Sequence, residues 1–572
     1  MQPVDYTTLT AACSELRSQW LPARLEQVYQ CDRFTLQLGL RTLTERGWLT
    51  LSWHPQAARI CLGTPPPRTP DTFTFSEQLR HQLKGLALVA IAPLQPWERV
   101  MDLQFGRRPQ DVPQWHLYVE IMGKYSNVIL VNANQQIITA AHQVSTQQSR
   151  IRPIQTGQPY VPPPALRDPI PTLEESQAHW QERLTVIPIA LDKMLRTTYR
   201  GVSATLAKTM AVTAGLSPSQ PTDSLHPQDW ARLFQLWQAW LQALQTETFT
   251  PGWCDSGYTV LGWNLTQQTP NVQMLLDTYY TQQRQHQDFQ QLAQQLQQKL
   301  KAALSKLQVK AQGFIDQLAA ATEAHRYRQQ ADLLMAYLSE WQPGTTTLTL
   351  PDFDTGAPQT LTLDPDKTAI QNAQALYKRH QKLKRACDRI TPLLQDVQAE
   401  IAYLEQVQAS LQQIDTYQNP TDLQALIEIR AELIQQQIIP APHHTPDPRP
   451  SANFHRYQTP NGWEILIGRN NHQNDQLTFR IASDYDLWFH TQEIPGSHVL
   501  LRLDAGTNPD PEDLQFTANL AAYYSQARQS HQVPVVYTHP RHVYKPKGAK
   551  PGMVIYKQEQ ILWGSPQTAQ TQ

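Results

Sequence analysis

From Arg528 to Lys557 the chain carries six lysines and arginines (Arg528, Arg541, Lys545, Lys547, Lys550 and Lys557) and no acid. Tyr537, Tyr544 and Tyr556 are interleaved with them, and His539 and His542 add further rings. Cations neutralise phosphates and planar side chains give unstacked bases a surface to lie on, so this composition suits RNA. The candidate RNA contacts are Arg541, His542, Lys545, Lys547 and Lys550. A solvated loop of the same composition is the plain alternative.

A second basic cluster comprises Lys378, Arg379, Lys382, Lys384, Arg385 and Arg389, opposed only by Asp388. Residues 378, 382, 385 and 389 share a face at helical spacing. That face either meets ribosomal RNA, with Lys378, Arg379, Lys382 and Arg385 as contacts, or simply keeps a helix in water. A third feature is Tyr199-Arg-Gly-Val-Ser-Ala-Thr-Leu-Ala-Lys, a glycine turn ahead of a helix with Ser203 as N-cap. Such a start exposes backbone N–H groups that can hold a phosphate. It is also what an ordinary corner between two helices looks like.

Catalytic groups are harder to find. His490 and His498, close to Asp484 and Asp486, match no metal-ligand spacing. They read as hydrogen-bonded structural residues or as RNA contacts, and are counted here with the RNA-binding set. There is no phosphate-binding GxxxxGK loop and no GxGxxG. The five cysteines are scattered without a CxxC pair, which points to a reducing compartment and to neither zinc nor disulfides. No metal, cofactor or catalytic residue is expected.

The elements that must carry these groups differ in texture along 572 residues, a length that fits about four domains. Net charge is -1, so any nucleic-acid footprint must be local. No basic, then apolar, leader opens the chain. The most apolar stretch, Gly85 to Leu94, is far shorter than the ~20 residues of a membrane helix. A cytoplasmic protein without membrane contact is expected.

Residues 1–170 alternate in short strand-like runs (Phe34–Leu38, Trp48–Trp53, Ala58–Leu62, Trp115–Ile121) with one helix near 74–84. Residues 171–268 read as helical and rich in tryptophan. Between Pro270 and Pro343 there is no proline, and Gly313 is the one glycine. Apolar residues recur there at Phe289, Leu292, Leu296, Leu300, Leu304, Leu307, Phe314 and Leu318. A second series runs Ile390, Leu394, Val397, Ile401, Leu404, Leu411 and Ile414. Seams of this period predict an antiparallel coiled-coil hairpin over 269–438. Its first arm is expected to be a helix of about 70 residues, on the order of 100 Å long. A small β element near 342–365 would form the tip, and Thr391-Pro392 is expected to restart or kink the second arm. Residues 451–572 alternate strands (Glu464–Ile467, Val499–Arg502, Val533–Tyr537, Met553–Tyr556) with a helix over 511–530. The fold class is α+β, in several domains.

Three runs then match a known family. Leu117-Tyr-Val-Glu-Ile-Met-Gly-Lys-Tyr-Ser-Asn-Val-Ile-Leu resembles the N-terminal signature of the NFACT family. Asn372-Ala-Gln-Ala-Leu-Tyr-Lys-Arg-His-Gln-Lys-Leu-Lys resembles its middle-region signature. Asp486-Leu-Trp-Phe-His-Thr-Gln-Glu-Ile-Pro-Gly-Ser-His-Val and Arg541-His-Val-Tyr-Lys-Pro-Lys-Gly-Ala-Lys-Pro-Gly are similar to its RNA-binding NFACT-R domain. The resemblance, to the bacterial RqcH type, spans nearly the whole chain; the family has also been labelled fibronectin-binding.

It implies a DNA-glycosylase-like N-terminal module without glycosylase chemistry, and a helix-hairpin-helix-like region after it. It also implies a protein that binds large ribosomal subunits carrying peptidyl-tRNA and recruits alanyl-tRNA for C-terminal tailing without mRNA. Peptide-bond formation would belong to ribosomal RNA, so an enzyme is not expected. The family's acid–arginine pair for tRNA selection falls on Glu98-Arg99, with glutamate where aspartate is usual. Gly123 and Lys124, within the first signature, join it as tRNA contacts. The alternative for Glu98-Arg99 is an ion pair at the start of a strand.

Three rivals remain at this level. An active DNA glycosylase of this kind would need a terminal proline beside glutamate, whereas Pro3 lies between Gln2 and Val4. A surface adhesin would be recovered outside the cell, and a general RNA-binding scaffold would show no preference for particular tRNAs.

Overall fold

The computed structural model describes residues 1–66, 70–164, 168–353, 355–441 and 453–570. They form two compact units, residues 1–284 and 285–572.

In the first unit, helix α1 (Tyr6–Trp20) leads into strands β1 (Ala23–Asp32), β2 (Thr35–Arg41), β3 (Arg46–Ser52) and β4 (Arg59–Gly63). Helix α2 (Thr74–Leu83) precedes β5 (Ala87–Pro93), β6 (Val100–Gly106), β7 (Trp115–Glu120), β8 (Asn127–Asn132) and β9 (Ile137–Ala140). All nine strands make one antiparallel sheet, ordered β4-β3-β2-β1-β5-β6-β7-β8-β9. Two meanders are joined by the short β1–β5 pairing. The apolar stretch near Gly85–Leu94 is thus mostly strand β5.

Helix α1 was not expected. Its residues Leu9, Ala11, Ala12, Cys13, Leu16 and Trp20 are buried nearly all round, so no clean polar face marks its period. Asp5 caps it, accepting from Thr8 N at 2.9 Å. Segment 142–160 is tied to the sheet by the buried Glu120 carboxylate, which accepts from Arg152 Nη1 at 2.9 Å and from Tyr160 Oη at 2.8 Å.

Four helices follow: α3 (Gln177–Thr185), α4 (Leu191–Thr198), α5 (Ala204–Thr213) and α6 (Pro227–Thr246). They enclose a core of their own around Trp180, Trp230, Trp237 and Trp240. The helical reading missed the small sheet that follows, β10 (Gly252–Cys254), β11 (Gly257–Thr259) and β12 (Gln267–Gln268).

Helix α7 (Val272–Thr322) starts inside this unit. Val272, Leu275, Leu276, Tyr279 and Tyr280 belong to the core of the large sheet. Glu15 caps the helix, accepting from Val272 N at 2.8 Å.

In the second unit α7 continues and is followed by α8 (Ala324–Ala336). The expected unbroken 70-residue arm is therefore corrected: the helix breaks at Glu323, where nothing in the residue types announces a turn. A two-stranded tip, β13 (Thr347–Pro351) and β14 (Pro358–Thr362), leads to α9 (Ala369–Gln413) and α10 (Pro420–Gln435). Phe289, Leu292, Leu296, Leu300 and Leu304 of α7 pack with Tyr403, Leu404, Val407 and Leu411 of α9. Leu333 and Leu334 of α8 pack with Ala369 and Ala373. Low numbers meet high ones and high meet low, so the two arms run antiparallel. Of the restart or kink expected at Pro392, the restart is corrected, since α9 runs through it. Proline removes one N–H from the ladder, and the neighbouring Thr391 Oγ1 donates to the Cys387 carbonyl at 2.9 Å.

The C-terminal part holds β15 (His455–Gln458), β16 (Glu464–Ile467), the short helix α11 (Asn471–Gln476), β17 (Leu487–Thr491) and β18 (Val499–Leu501). After α12 (Pro511–Tyr523) come β19 (Val533–Thr538), β20 (Val543–Tyr544), β21 (Ile555–Tyr556) and β22 (Gln560–Gly564). Six strands make a sheet ordered β15-β16-β18-β17-β19-β22, and β20 pairs with β21 apart from it. Two readings are corrected here. The helix expected over 511–530 ends at Tyr523, and the Met553–Tyr556 strand is a two-residue arm of the basic hairpin rather than part of the main sheet.

Candidate nucleic-acid interface

The basic run of the C-terminal part is folded as a hairpin, β20–β21, whose tip carries Lys545, Lys547 and Lys550. Its sequence holds no acid, but the fold supplies two. Asp475 of α11 pairs with Lys545 and also accepts from Gly552 N at 3.1 Å. Asp415, just after α9, lies 3.9 Å from Arg528. Lys550 Nζ sits 4.6 Å from the centre of the Tyr403 ring on α9. Two of the five expected contacts in this run, Lys545 and Lys550, thus fasten the hairpin to neighbouring helices. Arg541 and Lys547 are exposed, as is Lys557, and His542 is half-buried beside Arg541.

His498 is not presented to a partner. His498 is 1 % exposed. Its Nδ1 lies 2.7 Å from Thr478 Oγ1 and 3.2 Å from the Asn474 carbonyl, and its backbone N–H donates to Asn474 Oδ1. Burial holds its imidazole neutral, well below the usual titration range, with neighbouring His490 adding to the effect. His490 stacks on Trp488 at 5.7 Å and meets the Gly496 carbonyl at 3.3 Å. The direct RNA contact expected of His498 is corrected to a structural role, since the fold, which sequence spacing does not reveal, buries it. His490 is half-buried beside it. Among the described residues no group of three His, Cys, Asp or Glu side chains is placed to hold a metal.

The cations of α9 are in the open: Lys378, Arg379, Lys382, Lys384, Arg385 and Arg389 are all exposed. Arg379 lies over the Tyr327 ring of α8 at 4.5 Å, which orders its guanidinium. His380 Nδ1 meets the Ala324 carbonyl at 2.9 Å just past the break at Glu323.

In the first unit, the packing of Trp97 helps place Glu98 and Arg99 in the loop before β6. Trp97, at φ 62°, stacks on Tyr6 at 4.8 Å and meets the edge of Trp240 at 5.7 Å. Gly201, at φ 80°, lies beneath it, where a Cβ would stand 2.5 Å from the indole. Only glycine allows that approach. Glu98 reaches Arg200 at 4.0 Å. Arg99 Nη1 is 3.5 Å from the Val4 carbonyl, a long and weak contact.

Val100 pairs with Glu120 and Ile121 N donates to the Arg99 carbonyl at 2.9 Å. Residues 94–99 and 121–126 therefore leave the sheet at the same end. Gly123, at φ 59°, turns the second of these loops. There Lys124 is exposed over Tyr125, 4.9 Å from a ring that is itself largely exposed. A cation on an open ring is the pairing that suits a base and its phosphate.

The helix start at Ser203 is a different matter. Ser203 Oγ accepts from Leu206 N at 3.0 Å and donates to the Asp5 carboxylate at 2.6 Å. The cap is filled and an anion already stands beside it, so the corner reading prevails over the phosphate one.

Between the helical base and the C-terminal sheet, polar groups are buried together. Glu428 of α10 accepts from Asn470 Nδ2 at 2.7 Å and from Gln473 Nε2 at 2.9 Å. Glu432 accepts from Tyr403 Oη at 2.7 Å and Asn471 Nδ2 at 2.9 Å. No charge or spacing in the sequence flags this network. Burial pushes the Glu432 carboxyl from the usual 4.5 up to about 7, against the pull of those two hydrogen bonds.

A carboxyl raised on folding contributes stability that is fully present below about 4.5 and is lost as pH rises through about 7. Glu432→Gln, an uncharged mimic of the protonated form, should therefore gain on the wild type as pH rises. Denaturant midpoints from pH 5 to 8 would check this, because the opposing buried histidines cancel in the difference. A gap that did not change with pH would refute it.

The NFACT N-terminal and middle domain family model matches residues 5–451, and the NFACT protein RNA binding domain model matches residues 453–558. The chain is 31% identical to the Rqc2 homolog RqcH of Streptococcus suis over 97% of this chain and 96% of that one. It is 29% identical to the Rqc2 homolog RqcH of Bacillus subtilis, over 96% of each. Among solved structures, the C-terminal part of the fibronectin/fibrinogen-binding protein of Streptococcus suis is 32% identical. That match covers 49% of this chain and 95% of the other, with a TM-score of 0.38.

Proposed function

This chain belongs to the NFACT family, and we propose on that premise that it acts in ribosome-associated quality control. In this reading it binds large ribosomal subunits that carry peptidyl-tRNA, recruits tRNA with alanine acceptors foremost, and supports C-terminal tailing of the nascent chain without mRNA. It positions these partners in the cytoplasm, and ribosomal RNA makes the bonds. The modules are 1–170, a DNA-glycosylase-like fold; 171–268, helix-hairpin-helix-like; 269–438, the coiled-coil hairpin; and 451–572, the RNA-binding domain.

The observation that carries this reading is that exposed cations stand on three different elements of a chain of near-zero net charge. Lys124 stands on Tyr125 at one end of the large sheet, Lys378 to Arg389 line one helix, and Arg541, Lys547 and Lys557 edge the C-terminal hairpin. Each can take phosphate while leaving the others available.

Arg99 is the residue to test. Its long contact to Val4 contributes little to the fold, so Arg99→Ala should fold normally. Sequencing of RNA co-purified with the variant should show tRNA reduced by about tenfold, the scale of removing one bidentate arginine pairing. Recovery of large-subunit RNA should be unchanged, because the cations of α9 and the hairpin remain. Equal loss of both RNAs would overturn this division of labour.

A further inference from the structure

We propose that the cleft between the α9–α10 turn and the edge strand β15 is a pocket for a guanine base, with Asp415 and Arg528 reading the edge of its ring. The proposal rests on the reading that the C-terminal module binds RNA, and it names the base that module selects.

The cleft lies within the second unit. It encloses about 630 Å³, inside the range of about 300 to 1,000 Å³ that small-molecule sites occupy. Side chains alternate along a strand, so His455 and Tyr457 of β15 share a face, and both line the cleft. Tyr524, just after α12, completes the wall. Its ring lies 4.9 Å from that of His455, and its hydroxyl is 2.7 Å from that of Tyr457. Burial, with Arg469 beside it, pushes the His455 imidazole down to about 4 against the pull of Asp422. At neutral pH it is therefore an uncharged ring. Unstacked RNA bases lie on rings of this kind and are read by hydrogen bonds to their Watson–Crick edges.

The polar groups select the base. Arg528 lies over the Tyr523 ring at 4.2 Å and donates to its hydroxyl, which fixes the plane of the guanidinium. Its Nη1 stands 3.9 Å from Asp415 Oδ2, beyond hydrogen-bond reach. The Asp415 side chain is 60% exposed, and Thr416 Oγ1 donates to its Oδ1 over a long 3.3 Å. A donor and an acceptor thus stand side by side with bonding capacity left. The other charged pair of the lining, Arg469 and Asp422, is bonded to itself at 2.8 Å. The two arginines are matched by two carboxylates, which favours a neutral ligand over a free anion.

A guanidinium only donates and a carboxylate only accepts. Guanine carries an acceptor, O6, next to two adjacent donors, N1–H and the 2-amino group. Adenine, cytosine and uracil have no two donors in a row on that edge. The Asp415 oxygens can take both donors while Arg528 gives to O6. An unpaired guanosine in a strand and a free guanine nucleotide share this ring.

The test uses the full-length protein and labelled oligoadenylates with one central guanosine, inosine or adenosine, read by fluorescence anisotropy across a salt series. The guanosine strand should bind about 5- to 150-fold more tightly than the adenosine strand, the range for one bidentate pairing with a base. Inosine, which lacks the 2-amino group, should fall between them. Asp415→Asn turns one acceptor into a donor and should close the gap between guanosine and inosine. Its side chain is exposed, so the variant should unfold at the wild-type midpoint. Arg528→Lys keeps the charge but not the fork, and should weaken guanosine and inosine strands alike, since both keep O6. None of these preferences should vary with salt, because the strands carry the same phosphates.

Competition by guanosine monophosphate identifies the source. Displacement at the concentration of strand that binds points to a free nucleotide, and a need for the strand points to an unpaired base of RNA. No preference for guanine among strands or free monophosphates, or one that survives Asp415→Asn, would overturn the proposal and leave RNA binding standing. A protein that bound guanosine monophosphate and no strand would keep the pocket and remove the RNA reading. One that bound neither would remove both.

Discussion

Replacing Lys378, Arg379, Lys382 and Arg385 with alanine should weaken association with large ribosomal subunits by about a hundredfold at physiological salt. Each lysine or arginine that neutralises a phosphate releases counterions, with a slope of roughly -0.7 to -0.9 in log affinity against log salt per phosphate. Removing four such cations should make the measured slope shallower by about 3. The fold should be spared. All four side chains are exposed, and alanine is the best helix former, so an effect on stability within about 0.5 kcal/mol per site is expected. Co-sedimentation with purified subunits over a salt series measures both quantities. Unchanged association would show that the cluster only keeps α9 in water, the bland reading its composition always allowed.

That cluster was legible because a helix converts spacing into a face. Residues 378, 382, 385 and 389 could be placed together from numbers alone, and so could the Phe289–Leu304 seam that meets Tyr403–Leu411. Period is local information. What it could not supply was anything decided by distant packing.

The break at Glu323 has no proline or glycine to mark it. The passage through Pro392 goes against the local signal, and α1 is buried too evenly to show a period. The basic hairpin was found by composition, yet composition counted Lys545 and Lys550 among the available cations. The fold brings Asp475 to the first and the Tyr403 ring to the second from elsewhere in the chain. His498 is a like case: its type allows a hydrogen-bonded structural residue or an RNA contact, and only the fold, which buries it against Thr478 and Asn474, selects the first. Trp563 is the converse case, an aromatic residue that the fold leaves 58% exposed.

The largest loss of stability should come from Arg469→Ala. Arg469 Nη1 bonds Asp422 Oδ1 at 2.8 Å, and each side chain is only 10% exposed. Removing one partner of a buried pair leaves a carboxylate without its counter-charge, at a cost of about 3 to 5 kcal/mol. Asp422 is not left wholly unsatisfied, because its Oδ2 accepts from Gln418 N at 2.8 Å and Asn419 N at 2.9 Å at the start of α10. The lower end of the range is therefore expected.

The double change Arg469→Met with Asp422→Leu separates the two contributions. Apolar residues in place of a buried pair are often neutral, so the double variant should recover all but the contribution of the helix cap, about 1 kcal/mol. Hydrogen exchange at α10 and at Asn471–Gln476 reads the effect where it acts. Both segments should lose protection in Arg469→Ala and largely regain it in the double variant. A double variant as damaged as the single one would mean that Asp422 matters as a cap more than as a counter-charge. The network of Glu428, Glu432 and their amide partners would then be what holds the C-terminal sheet to the helical base.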